Sequence, residues 1–273
     1  MCDLSPLNVE AEPFHHISHP EFIEQTRYRE LCQSFPTCPP RIGPTGFSLY
    51  WGDEGYQQLL AGQPAWQDLF NTFHSQMFID WSCEQFAGIW EREGCKIDLS
   101  RARYVPYRED RIDKERAKLR KVEHAAEDLW VRMDIHQGRM GYDRPVHLDH
   151  ARRLISMLIY MCDHTENAMR GGELILHRGK RQTSHSASAV AIAPRHNLMI
   201  AFPCTSHSYH SVSAITALQS PRNYIQVHIS SSIDIWPRPA VPRWRRTLSS
   251  LKQQLKSVSD QSATRQAGKF SAR

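Results

Sequence analysis

The spacing of hydrophobic residues changes once along this chain, near residue 128. From Pro64 to Arg92, Trp66, Leu69, Phe70, Phe73, Met77, Trp81, Phe86 and Trp90 recur mostly three or four apart, the stripe of an amphipathic helix. Pro64 suits the first turn of such a helix, and the aromatic stripe reads as a packing face rather than a cofactor box. A shorter helical stretch is predicted within Pro20–Phe35, followed by turn residues in TCPPRIGPTG. Beyond residue 128 the texture becomes β. LWVRMDIHQG, RLISMLIYM, GELILHR, SAVAIAP, NLMIAFP, YHSVSAI and NYIQVHISSSIDIW are short apolar runs, many of them alternating, separated by Gly, Pro, Asn, Asp or Ser. Strands in this arrangement without intervening helices predict an antiparallel sandwich or barrel. The alternating strands and helices of a Rossmann sheet are missing, as are G-x-G-x-x-G and G-x-x-x-x-G-K, which argues against nucleotide-binding enzymes of those kinds.

The pattern divides the chain into a helical N-terminal part (1–127) packing on a core, a β domain (128–236) and a basic, largely disordered tail (237–273). Just before the β domain, residues 101–128 interleave both signs of charge, which reads as a solvated helix or loop laced with ion pairs, or as a flap over a pocket. Charge then sharpens the division. The net charge of +5 comes from nine basic residues and one acid in the tail, leaving a body of −3. Nucleic acid is therefore a partner only through tail contacts. The seven cysteines are odd in number and include no C-x-x-C pair, arguing against a disulfide framework and zinc-ribbon or iron–sulfur sites. No apolar run approaches the roughly 18–20 residues of a membrane span, and the N-terminus lacks the basic and apolar regions of a secretory signal. A cytoplasmic protein is expected.

Histidine is concentrated where the strands are: ten of fifteen lie between His136 and His228. Among them His147-Leu148-Asp149 stands out, because residues two apart on a strand point to one side. An imidazole and a carboxylate so placed are two of the three ligands of a facial His-His-carboxylate site for Fe(II), which leaves coordination positions open. The third ligand must come from a distant strand. His207 and His210 both qualify; being three apart they face opposite sides, and His210, sharing its face with Val212, is favoured. Arg222 opens the strand NYIQVHIS, where a guanidinium can clamp a carboxylate or sit exposed in a turn after Pro221. His150 is expected to face away from the metal, while His136, His177 and His228 lie on strands that can line a barrel mouth or serve structure.

Taken together, HLD, RLISMLIYM, GGELIL, NLMIAF, HSVS and then Arg222 resemble the Fe(II)- and 2-oxoglutarate-dependent dioxygenase superfamily, in particular its prolyl-hydroxylase-like branch. The resemblance covers about 128–236. It implies an α+β protein with a double-stranded β-helix (jelly-roll) core and packed N-terminal helices. It further implies that His147, Asp149 and His210 bind Fe(II), that Arg222 holds the distal carboxylate of 2-oxoglutarate, and that Tyr160 lies in the same pocket. O2 would be the second cosubstrate and ascorbate a candidate reductant. Gly171 and Gly172 fall where the family has a turn and serve backbone geometry. Two departures stand out. The interval from His210 to Arg222 is longer than usual, and Tyr224 occupies a position often held by a small hydroxyl residue. The implied activity is hydroxylation of an unactivated C–H bond, with release of succinate and CO2. The N-terminal half, unlike that of compact peptide hydroxylases, points to a small molecule or biosynthetic intermediate as substrate. A peptidyl-prolyl or other side-chain hydroxylase, and an inactive metal- or ligand-binding jelly roll, are the alternatives.

Overall fold

The alternation of side chains along the β strands decides how this chain packs. The computed structural model describes residues 2–42, 45–109, 123–179 and 189–237. Its N-terminal part holds β1 (Ile17–His19), α1 (Gln25–Gln33), β2 (Pro40–Ile42), β3 (Gly46–Leu49), α2 (Glu54–Gly62), α3 (Pro64–Phe73), α4 (Gln76–Gln85), α5 (Ile89–Arg92) and β4 (Arg103–Tyr104). The strands β5 (Asp128–Gly138), β6 (Arg144–His147), β7 (Arg153–Tyr160), β8 (Leu174–His177), β9 (Ala189–Ile192), β10 (Met199–Pro203), β11 (Tyr209–Val212) and β12 (Arg222–Ser230) follow.

These strands form two sheets. The larger runs β1-β10-β7-β12-β5-β3-β2, with β4 alongside β5, and the smaller runs β6-β11-β8-β9. Every pairing is antiparallel except β4 with β5. On the outer face of the large sheet, Val131, Met133 and Ile135 of β5, Ile155, Met157 and Ile159 of β7, and Ile225, Val227 and Ile229 of β12 join one buried cluster with Trp66, Phe70, Phe73 and Phe78 of the helices. At about 1.5–3 kcal/mol per fully buried large apolar side chain, this face is the main source of cohesion. On the inner face, Leu158, Tyr160, Ile200, Phe202 and Tyr224 meet Leu174 and Leu176 of the small sheet. The result is the double-stranded β-helix expected from the sequence, with helices packed on one side.

The helical stripe from Pro64 to Arg92 is three helices rather than one. Ser75 caps α4 by accepting a hydrogen bond from the Phe78 amide (3.2 Å), and Gly88 adopts a left-handed φ of 77° before α5. The stripe survives because each helix turns its aromatics to the same sheet. The N-terminal part also contributes strands, which the hydropathy pattern did not anticipate. β1 covers one edge of the large sheet, and β3 with β2 extends the other. Strands of three or four residues carry too few alternations to register. Of the charged stretch 101–128, β4 runs beside β5 and Arg103 pairs with Asp128 at 2.6 Å, while 110–122 lie outside the described residues, as do 238–273 of the tail. Among the described residues no helix is long and apolar enough to cross a membrane.

Candidate active site

His147 is the last residue of β6, and its Cα partner across the antiparallel pair is His210 of β11. The two rings lie 4.3 Å apart. Each ring is oriented by its own backbone: His147 Nδ1 donates to the Pro145 carbonyl (2.8 Å) and His210 Nδ1 to the Ser208 carbonyl (2.9 Å). A neutral imidazole that donates from Nδ1 keeps Nε2 as a lone-pair donor for a metal. Asp149 lies just past the end of β6, in the loop rather than on the strand, yet its Oδ2 is 3.8 Å from His210 Nε2. Ligand atoms of the three side chains all lie within 4.8 Å of one another.

Electrostatics agree with ligation. Burial holds the His210 imidazole down to about 4, against the pull of Asp149, so the ring is neutral at pH 7. Burial works to raise the Asp149 carboxyl, but Arg153, backed by His210, His228 and His147, outweighs it and keeps the group well below the usual carboxylate range. Arg153 Nη1 donates to Asp149 Oδ1 at 2.6 Å and leaves Oδ2 toward the histidines. Two imidazoles and one ionised carboxylate are the donor set that suits Fe(II). Sequence reasoning did not single out Arg153; a charged residue opening a strand carries no distinctive signal.

Arg222 opens β12 on the inner face and is 0 % exposed. Its Nε donates to the Gly172 carbonyl (2.7 Å) and its Nη2 to the Tyr160 hydroxyl (3.1 Å). The rings of Tyr160 and Tyr224 lie 5.0 and 4.6 Å from the guanidinium carbon. Nη1 has no hydrogen-bond partner. A buried guanidinium nitrogen left unpaired is costly, and a carboxylate is its natural acceptor. Arg222 and Tyr224 line one narrow pocket with His147, Asp149 and His210, together with His136, Tyr142, Arg144, Arg153 and Gln226.

The two departures now have structural counterparts. Between His210 and Arg222 the chain leaves β11, bridges Ala217 to Arg170, and donates from the Gln219 amide to the Asn167 carbonyl (2.8 Å), so the extra residues dock on the 163–170 loop. Tyr224 stacks on His136 with centroids 4.9 Å apart, and its hydroxyl meets that of Tyr142 at 3.1 Å. His207 is not at the site: its side chain is 71 % exposed and pairs with Glu93. His150 faces Asp234 at 4.0 Å. His228, next to Ser156, shares the inner face with His136, whereas His177 pairs with Ser211 on the other side of β8 from Leu174 and Leu176.

Residues 133–229, which hold every one of the clustered donors and Arg222, match the 2OG-Fe(II) oxygenase superfamily. The barrel is thus similar over these residues to a family that depends on Fe(II) and 2-oxoglutarate. Solved structures with a similar fold include a prolyl 4-hydroxylase from Phytophthora capsici, at 13 % identity and TM-score 0.50 over 89 % of this chain and 68 % of that one. A 2OG-Fe(II) oxygenase-family oxidoreductase from Burkholderia pseudomallei aligns at 14 % identity and TM-score 0.46, covering 83 % and 88 % of the two chains. HygX from Streptomyces hygroscopicus, solved with nickel and 2-oxoglutarate, aligns at 9 % identity and TM-score 0.43 over 81 % and 85 %. At 13 % identity the likeness to the prolyl 4-hydroxylase is one of fold. No curated protein matches in sequence.

Proposed function

We propose that His147, Asp149 and His210 hold Fe(II), that Arg222 and Tyr160 hold the distal carboxylate of 2-oxoglutarate, and that the protein hydroxylates an unactivated C–H bond of a small molecule or biosynthetic intermediate. The observation that carries this reading is the convergence of three metal donors on the same narrow pocket as a buried arginine with an unpaired nitrogen. Iron and 2-oxoglutarate bound there supply the O2-dependent oxidation, with release of succinate and CO2. The chain itself binds, orients and excludes water. Arg222 Nη1 offers a charge-assisted donor, and because Tyr160 accepts from Nη2 its own proton remains free for the second carboxylate oxygen. Burial raises the Tyr160 phenol, which keeps that proton in place. Arg153 holds Asp149 ionised and in one orientation. All seven cysteines are free, as suits a reducing cytoplasm.

Purified protein supplied with Fe(II) and 2-oxoglutarate is expected to form succinate slowly even without a prime substrate. Asp149→Ala and His147→Ala should each abolish that turnover. Succinate formation at the wild-type rate in both variants would show the metal assignment to be wrong.

A further inference from the structure

An irregularity in the β6–β11 pairing brings a third arginine to the metal-donor pocket. His147 lies opposite His210 and Arg144 opposite Val212, so three steps along β6 match two along β11. In a regular strand residues three apart face opposite sides, and Arg144 would point away from His147. Residues directly opposed in an antiparallel pair share a side, and His210 and Val212, two apart, both line the pocket. The bulge in β6 therefore turns Arg144 to the side of the metal donors, where its side chain lines the same pocket. It also acts electrostatically on Tyr224, another lining residue.

The other two arginines of the pocket are engaged. Arg153 holds Asp149 at 2.6 Å, and Arg222 is bonded to Gly172 and Tyr160 with Nη1 left for the cosubstrate. Arg144 is half-buried and has neither a hydrogen bond nor an ion pair among the described residues. Gln226, half-buried in the same pocket, is equally uncommitted. Asp149 is the one acid among the lining residues. The acids next to the lining in sequence or register do not answer Arg144 either. Asp134, opposite Gln226, faces Arg132 at 2.9 Å, and Glu173, before Leu174, pairs with His164 at 3.4 Å. Asp143 is exposed and unpaired. Bound Fe(II) and the 2-oxoglutarate dianion cancel in charge, as do Asp149 and Arg153. Arg222 and Arg144 then leave the loaded pocket positive, which favours an anion. One free planar guanidinium matches one carboxylate, whereas a phosphate dianion calls for a second cation. Leu158, Leu174 and Val212 in the same lining suit an aliphatic body.

On the reading of the barrel as an oxygenase, we infer that Arg144 binds the carboxylate of the prime substrate, a small aliphatic monocarboxylic acid held beside the metal donors and apart from 2-oxoglutarate.

The full chain, loaded anaerobically with Fe(II) and radiolabelled 2-oxoglutarate, is titrated with hexanoate and with hexanamide, which share a shape and differ in charge. Binding is followed by ligand-observed NMR. Hexanoate is expected to bind about tenfold more tightly than the amide, with the label retained. Arg144→Gln should erase that preference. Arg195→Gln removes the same charge from an exposed loop between β9 and β10 and should keep it. Should Arg144→Gln fail to fold, Arg144→Lys keeps the charge without the fork and should lower the preference severalfold. No hexanoate binding, equal or tighter amide binding, an undiminished preference in a folded Arg144 variant, or its loss in Arg195→Gln overturns the assignment. Release of the label by hexanoate, or a loss of label in Arg144→Gln as large as its loss of hexanoate, places Arg144 on the cosubstrate and overturns it too. Wild type that never retains the label shows the oxygenase reading itself to be wrong, and the subsite falls with it. Retained label without a preference for the acid sinks the subsite alone.

Discussion

His210 illustrates how one residue's surroundings fix its chemistry. A solvent-exposed imidazole titrates near 6.5, but burial of this ring takes it to about 4. Because the folded value lies below the unfolded one, folding favours the neutral ring. That contribution is complete above about pH 6.5 and disappears as the pH falls toward 4. For the metal-free protein the loss is on the order of 3 kcal/mol. Urea unfolding should therefore show a lower midpoint at pH 4.5 than at pH 7, and the part due to His210 should vanish in His210→Gln. An identical pH dependence in wild type and variant would remove His210 as the cause. His207 makes the contrast: three residues away, on the exposed rim beside Glu93, it has neither burial nor a ligand neighbour.

Among elements, the turn into β8 does most to set the cosubstrate pocket. Gly171 and Gly172 have φ of 81° and 82°, a region side chains with a Cβ rarely adopt. At Gly171 an added Cβ would sit 1.9 Å from the Ala214 carbonyl oxygen, a backbone atom that cannot step aside cheaply. The next residue, Gly172, presents the carbonyl that accepts from Arg222 Nε. Gly171→Ala is expected to cost about 2–4 kcal/mol of stability and, by shifting that carbonyl, to raise the KM for 2-oxoglutarate more than it lowers kcat. Thermal unfolding and initial rates measure the two effects; an unchanged Tm would mean that the turn tolerates a Cβ.

For the molecule as a whole, cohesion comes from the helices on the outer face of the large sheet and from the segment that follows β12. Ile235 and Trp236 are fully buried, and the Trp236 indole donates to the Arg153 carbonyl at 2.6 Å, tying the end of the unit Met1–Pro237 to the arginine that orients Asp149. A chain ending at Pro237 should keep the melting temperature and 2-oxoglutarate turnover of the full chain. A chain ending at Ser232 loses both buried side chains and should be destabilised by roughly 3–5 kcal/mol. Equal stability of the two shortened chains would contradict this.

Local periodicity carried the β domain far. The runs from LWVRMDIHQG to NYIQVHIS became β5, β7, β8, β9, β10, β11 and β12, because a strand with one face on helices must alternate. His147 and Asp149 were legible together because they are neighbours in sequence. Other features required the fold. The stripe Pro64–Arg92 could not reveal its breaks at Ser75 and Gly88, since all three helices present aromatics to one sheet. The choice of His210 follows from its register with His147, a pairing between residues 63 positions apart. Arg153 gains its role from Asp149. Hydropathy and turn chemistry act between near neighbours and so can be read along the chain. Burial, register and the pairing of charges arise between distant residues, and only packing decides them.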